Sequence, residues 1–95
     1  MPAAMVLQLE IGDYEAWKPA FDADPVGRRQ IATGHVLSRG VDNPDSVFIR
    51  VSFKSVEDAQ TFRQRLLESG ALNNPNVSAV VLQPTVIDPV EEITY

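Results

Sequence analysis

One histidine, no cysteine and a few arginines set among apolar segments carry most of the chemistry open to this 95-residue chain. His35 has the one side chain whose ordinary pKa lies near neutrality, so it is the first candidate for moving a proton. As a general base it must face a cavity and stand within hydrogen-bond reach of a substrate proton. The competing reading is a structural histidine that opens a strand after a helix-ending Gly34. Arg50 sits in the middle of the strand-like run Val47 to Phe53, where a guanidinium without a partner is costly to bury. It must be solvated, paired with Glu10 on the adjacent strand, or holding an anion. In the last case Arg50, joined by Arg39 where its register points inward, would bind a carboxylate, phenolate or enolate and stabilise developing negative charge. Gln8 and Glu10 share the face of Arg50 by alternation. Trp17 and Phe21 form either the wall of an aromatic-binding pocket or plain core. Arg28-Arg29 reads as the solvated end of a helix, complementing its dipole.

What the chain lacks narrows the field. Without cysteine there is no disulfide, no thiolate nucleophile and no Cys-bound metal. A single histidine leaves carboxylates as the remaining metal ligands. Asp22-x-Asp24 and Asp42-x-x-Asp45 lack the EF-hand spacing, and the second is better explained as turn chemistry. No metal and no cofactor is therefore expected. There is no P-loop, no G-x-G-x-x-G and no nucleophile elbow, so nucleotide and serine-hydrolase chemistry have no support. The net charge of −5 argues against nucleic acid or an anionic membrane as a partner. Apolar runs are too short for a transmembrane helix, and the N-terminus has no basic leader region. A cytoplasmic protein is the expectation.

The elements that must position these side chains follow from periodicity. Leu7, Leu9 and Ile11 alternate with Gln8 and Glu10, predicting a first strand over 5–11. Asp13 is placed to cap a helix whose Tyr14, Trp17 and Phe21 share a face. Pro19 inside that stretch predicts a bend, and Asp24-Pro25 a fresh start running to Thr33, so the first helix should be kinked or in two parts. Strands are predicted over 35–39 and 47–53, joined by a turn rich in Asx and proline. Ser55-Val-Glu-Asp58 opens a second long helix carrying Ala59, Phe62, Leu66 and Leu67, which Gly70 ends. A fourth strand runs from Val77 to Gln83, and Pro84 and Pro89 confine any extension to an edge.

Sliding the chain by 42 residues lays Leu7, Leu9, Ile11 and cap Asp13 onto Ile49, Val51, Phe53 and cap Ser55, which suggests two similar halves. The order βαββαβ with right-handed crossovers gives an α+β ferredoxin-like sandwich: one domain over 1–95, with a four-stranded antiparallel sheet and two helices on one face. Hydrophobic residues at 44% suffice for a globular core. A chain this short nevertheless buries only about 60–65% of its unfolded surface. The second face of the sheet mixes Gln8, Glu10, Arg50 and Ser52 with Val6, Phe48 and one apolar row of the fourth strand. It is either solvated or pressed against a second copy, closing a barrel across a two-fold axis. The tail from Val90 to Tyr95 packs on the partner or frays.

Two stretches carry a resemblance. Asp13-Tyr-Glu-Ala-Trp-Lys-Pro-Ala-Phe-Asp22 after strand one, and Arg39-Gly-Val-Asp-Asn-Pro-Asp-Ser-Val47 leading into strand three, resemble the small dimeric α/β-barrel proteins related to antibiotic biosynthesis monooxygenases. The resemblance implies a homodimer with a pocket between sheet and helices in each protomer. It also implies a cofactor-independent enzyme of monooxygenase, cyclase or isomerase kind, acting on a compact aromatic or enolisable substrate. His35 would then move a proton, Arg50 hold the anion, and Trp17 with Phe21 supply the apolar wall. Haem-degrading and many oxygenase members commonly carry a histidine in the second helix, where this chain has Thr61-Phe62-Arg63, a departure that speaks against haem breakdown. The alternative is a non-catalytic ligand-binding or interaction module whose dimer interface is its purpose. Fold likeness alone does not decide between them.

Overall fold

Alternation decides which way each strand faces. In the computed structural model, which describes residues 2–95, the strands are β1 (Ala3–Ile11), β2 (Gly34–Arg39), β3 (Ser46–Phe53) and β4 (Val77–Ile87). They form one antiparallel sheet in the order β2-β3-β1-β4. Helices α1 (Tyr14–Asp22), α2 (Arg28–Ile31) and α3 (Val56–Ser69) join them, with a 3-10 turn at Ala71–Asn73. This is the ferredoxin-like α+β topology. Met5, Leu7, Leu9 and Ile11 of β1 and Val47, Ile49, Val51 and Phe53 of β3 are buried under the helices, together with Trp17, Ala59, Phe62 and Leu66. In the central β1–β3 pairing Leu7 lies opposite Ile49. These are the two residues that the 42-residue slide superimposes, as a pseudo-two-fold axis between the halves requires.

The caps at Asp13 and Ser55 form as expected. The Asp13 carboxylate accepts from the backbone N–H of Glu15 (3.0 Å) and Ala16 (3.3 Å), and the Ser55 hydroxyl from that of Asp58 (3.1 Å). Gly70 ends α3 in the left-handed region at φ 74°, where a β-carbon would be strained. β4 runs further than predicted, through Pro84 to Ile87. It can do so because it is an edge strand, with no outer neighbour to miss the proline's absent N–H. Three register shifts against β1 let it coil around the sheet.

The first helical stretch is in two parts, but the break is not at Pro19. Helix α1 passes through Pro19, whose carbonyl accepts from Ala23 N at 3.0 Å. The chain turns instead at Asp24, a non-glycine residue with φ 55°. Asp24 does start the second piece, but from a distance: its carboxylate accepts from the backbone N–H groups of Arg28 (2.7 Å) and Arg29 (3.0 Å). The turn in between uses Gly27 at φ 77°. Helix α2 stops at Ile31 rather than Thr33, because Thr33 N already donates to Ser52 O of β3 at 2.8 Å. No helix among the described residues is long and apolar enough to cross a membrane.

Candidate functional site

Helices too short to roof their sheet leave space above it. The nine residues of α1 span about 14 Å and the 14 of α3 about 21 Å, against about 30 Å for a nine-residue strand. The closest backbone approaches of a helix to the sheet are made by α3. The remaining gap is a cavity of about 520 Å³, within the range that takes a small molecule. Its floor is Met5, Leu7, Leu9, Ile49 and Val51. Trp17, Ala20 and Phe21 of α1 face Phe62 and Leu66 of α3 across it, and the 24–28 and 69–75 segments frame the mouth. Trp17 and Phe21 are therefore pocket wall, and Trp17 is core as well.

The residue that gives this apolar space a chemistry is Arg28, read from the sequence as a solvated helix end. The structure corrects that reading. Arg28 opens α2 rather than ending a helix, and its side chain is only 7% exposed. It lines the cavity, with its guanidinium carbon 4.0 Å from the Phe21 ring centroid. The Asp24 carboxylate stands 3.9 Å from Nη1, close enough for charge attraction and too far for a hydrogen bond. Nε and Nη2 are shut off from solvent with no hydrogen-bond partner among the described residues. Burial pushes the guanidinium below its ordinary pKa, with Asp24 opposing, but the ordinary value is so high that the group stays charged. For Asp24, burial acts to raise the pKa. The N–H bonds from Arg29 and Arg28 outweigh it and hold the carboxyl below its ordinary value.

The other candidates do not gather here. Register puts His35 opposite Val51 and Arg39 opposite Val47, on the helix side of the sheet, whereas Arg50 lies opposite Val6 and Val36 on the open side. A sheet therefore separates His35 from Arg50, and the joint site expected of them is not assembled within one chain. His35 is exposed and meets the cavity only through Phe21, whose ring it contacts edge-on at 5.3 Å between centroids. Partial burial first, then the charges of Arg28, Arg29 and Lys18, lower its pKa, so it is neutral at pH 7. Arg39 lies over the Tyr14 ring at 4.1 Å and donates to Pro44 O, fixing the β2–β3 turn.

On the open side Glu10 accepts from the Ser46 hydroxyl at 2.6 Å, and Gln8 donates to the same hydroxyl at 3.4 Å. The expected Glu10–Arg50 pair is not made: Glu10 lies opposite Ser46, four residues along β3 from Arg50, or about 13 Å. Among the described residues no group of three or more His, Asp or Glu side chains is placed to hold a metal ion.

The fold is an α+β ferredoxin-like sandwich, and proteins named as candidate antibiotic biosynthesis monooxygenases are among the solved structures that share it. SnoaB, a cofactor-independent oxygenase from Streptomyces nogalater, superposes with a TM-score of 0.76 at 12% identity, covering 99% of this chain and 98% of its own. A candidate antibiotic biosynthesis monooxygenase from Deinococcus radiodurans gives 0.72 at 15% identity, over 100% of this chain and 98% of its own. Rv0793 from Mycobacterium tuberculosis gives 0.70 at 17% identity, over 99% and 100%. At these identities the likeness establishes the fold. No family model matches the chain, and no curated protein matches it in sequence.

A buried guanidinium with idle donors is destabilising, so replacing it with an apolar side chain of similar length should help the empty protein. Arg28→Met is expected to raise unfolding free energy by about 1–4 kcal/mol in urea titrations. A loss of stability would show that Arg28 is satisfied within the fold. For His35 the unfolded chain takes up a proton at higher pH than the folded one. The stability tied to neutral His35 is complete above about pH 6.5 and declines as pH falls below that value. Urea midpoints of His35→Gln should show a flatter slope than the wild type from pH 6.5 downward. An unchanged slope would contradict this.

Proposed function

We propose that the chain is a small cofactor-independent enzyme of monooxygenase, cyclase or isomerase kind, acting on a compact, acidic, aromatic or enolisable molecule bound between sheet and helices. The observation that carries this is the Arg28 guanidinium, charged and unpartnered at Nε and Nη2, beside a mostly apolar cavity in which it is the one cationic side chain. Oxygenation of a phenolic ring, aldol-type cyclisation and lactone isomerisation share one demand: a substrate anion must be held where water does not compete. A fixed cation under an apolar roof does that, because charge interactions strengthen as solvent is excluded. Asp24 is the one carboxylate lining the cavity, and it is committed to two backbone donors. His35 would take a proton from the substrate only with the Phe21 ring displaced. The fold shared with SnoaB supports the oxygenase member of this set.

We further propose that the open face of the sheet pairs with a second copy, which brings Arg50, Gln8 and Glu10 into the interface rather than into the cavity. Val36, Phe48 and Leu82 stand 59%, 44% and 43% exposed on that side. Exposed apolar side chains on one sheet face, interspersed with Gln8 and Arg50, favour association.

The ligand reading is tested by thermal unfolding with a panel of small aromatic acids and phenols. A true ligand at a hundredfold excess over its Kd should raise Tm by about 5 °C or more, and Arg28→Gln should remove the rise. No shift with any member of the panel would sink the enzyme reading. The pairing is tested by light scattering. It should report twice the 10.5 kDa of one chain, and Leu82→Lys should return the mass to that of one chain. A wild-type monomer at micromolar concentration would rule the pairing out.

A further inference from the structure

We infer that the occupant of the cavity is a compact carboxylic acid, held as its carboxylate by the Nε and Nη2 edge of Arg28. This rests on the reading of the cavity as a ligand site and adds the identity of the anion. Three sides of the guanidinium are accounted for. Its face lies on the Phe21 ring, Nη1 is flanked by the Asp24 carboxylate, and the stem enters from α2. What remains idle is not a scattered set of donors but one edge: Nε–H and Nη2–H lie side by side, both closed to solvent in the empty protein, so a carboxylate meets them only as the Phe21 ring or the 24–28 turn moves aside. Two parallel donors match the two oxygens of a carboxylate, one bond to each, in a planar fork. A phenolate brings a single oxygen and leaves one donor idle or shared.

A phosphate monoester has the right pair of oxygens on one edge, but its second charge and remaining oxygen need further cationic donors. Arg28 is the sole cationic side chain lining the cavity, and Asp24 at the mouth repels added negative charge. The cavity that Arg28 lines is mostly apolar, with Trp17, Phe62, Leu66 and the floor of the sheet, and its uncharged polar residues are Ser69, Asn73 and Asn74. The ligand is therefore one planar anionic head on an aromatic or branched apolar body. The body has to be compact, since about 520 Å³ is all the space there is.

Calorimetric titration with benzoate and with pentafluorophenolate, a single-oxygen aromatic anion ionised like benzoate at pH 8, tests the assignment, using wild type, Arg28→Gln and Arg28→Lys. Benzoate should bind wild type with an affinity that is flat from pH 6 to 8, because the acid is ionised and Arg28 charged throughout. Arg28→Gln should weaken benzoate about thirtyfold or more, and Arg28→Lys, which keeps the charge and loses the fork, about tenfold. Pentafluorophenolate should bind wild type more weakly than benzoate and lose less in Arg28→Lys, because a lysine still gives its one oxygen a charged donor. Should Arg28→Gln fail to fold, Arg28→Met serves in its place. Pentafluorophenolate binding as tightly as benzoate, or benzoate indifferent to every Arg28 variant, would overturn the carboxylate while leaving the cavity a ligand site. Failure of both probes, together with the whole panel of acids and phenols, would remove the ligand site itself.

Discussion

A guanidinium moved out of water loses hydration worth many kilocalories per mole, and it keeps its charge because its pKa is too high for it to escape by deprotonation. Only acceptors can offset that loss, and Arg28 has one carboxylate at arm's length and an aromatic face. Much of the local architecture reads as the means of holding it there. Asp24 adopts φ 55° so that its carboxylate can reach back to the N–H groups of Arg28 and Arg29. Gly27 takes φ 77° so that the turn can close, and Phe21 lays its ring under the guanidinium. Phe21 in turn stacks on Trp17 at 5.1 Å, which ties the cation to the core of the sandwich. Strain and burial concentrated in one turn beside a cavity are what a binding site requires and what stability alone would not select.

The sheet gives the molecule two separate faces. Because side chains alternate with a period of two, the helix side received the cavity and the open side a mixed surface of Val36, Phe48, Leu82, Arg50 and the Glu10–Ser46–Gln8 cluster. His35 and Arg50, which look like partners in a list of polar residues, belong to different faces with different neighbours. On the proposed reading the labour is divided, with ligand chemistry on one side and association on the other.

The fold was legible because strands and caps are local. Leu7-x-Leu9-x-Ile11, its echo at Ile49, Val51 and Phe53, and the caps at Asp13 and Ser55 each announce themselves within a few residues, and the structure keeps them all. The walls of the site, Trp17 and Phe21, were legible for the same reason. Arg28 was not, because its burial depends on where a four-residue helix comes to rest against α1 and α3, a tertiary outcome no window of sequence contains. A signal was present even so. Adjacent residues on a helix point about 100° apart, so Arg28 and Arg29 need not share one environment. The break at Asp24 rather than Pro19 has a similar origin. A proline costs one helical bond, whereas the reward for turning at Asp24 lies in the carboxylate contacts made four and five residues later.

The most direct measurement is a high-resolution crystal structure of the protein grown with an excess of a small aromatic carboxylate. Both carboxylate oxygens should lie about 2.7–2.9 Å from Nε and Nη2 of Arg28, with the ring of the acid over the floor of the sheet. A guanidinium whose two free donors are instead taken by carbonyl or carboxylate oxygens of the protein, or one swung out into bulk water, would contradict the central claim outright.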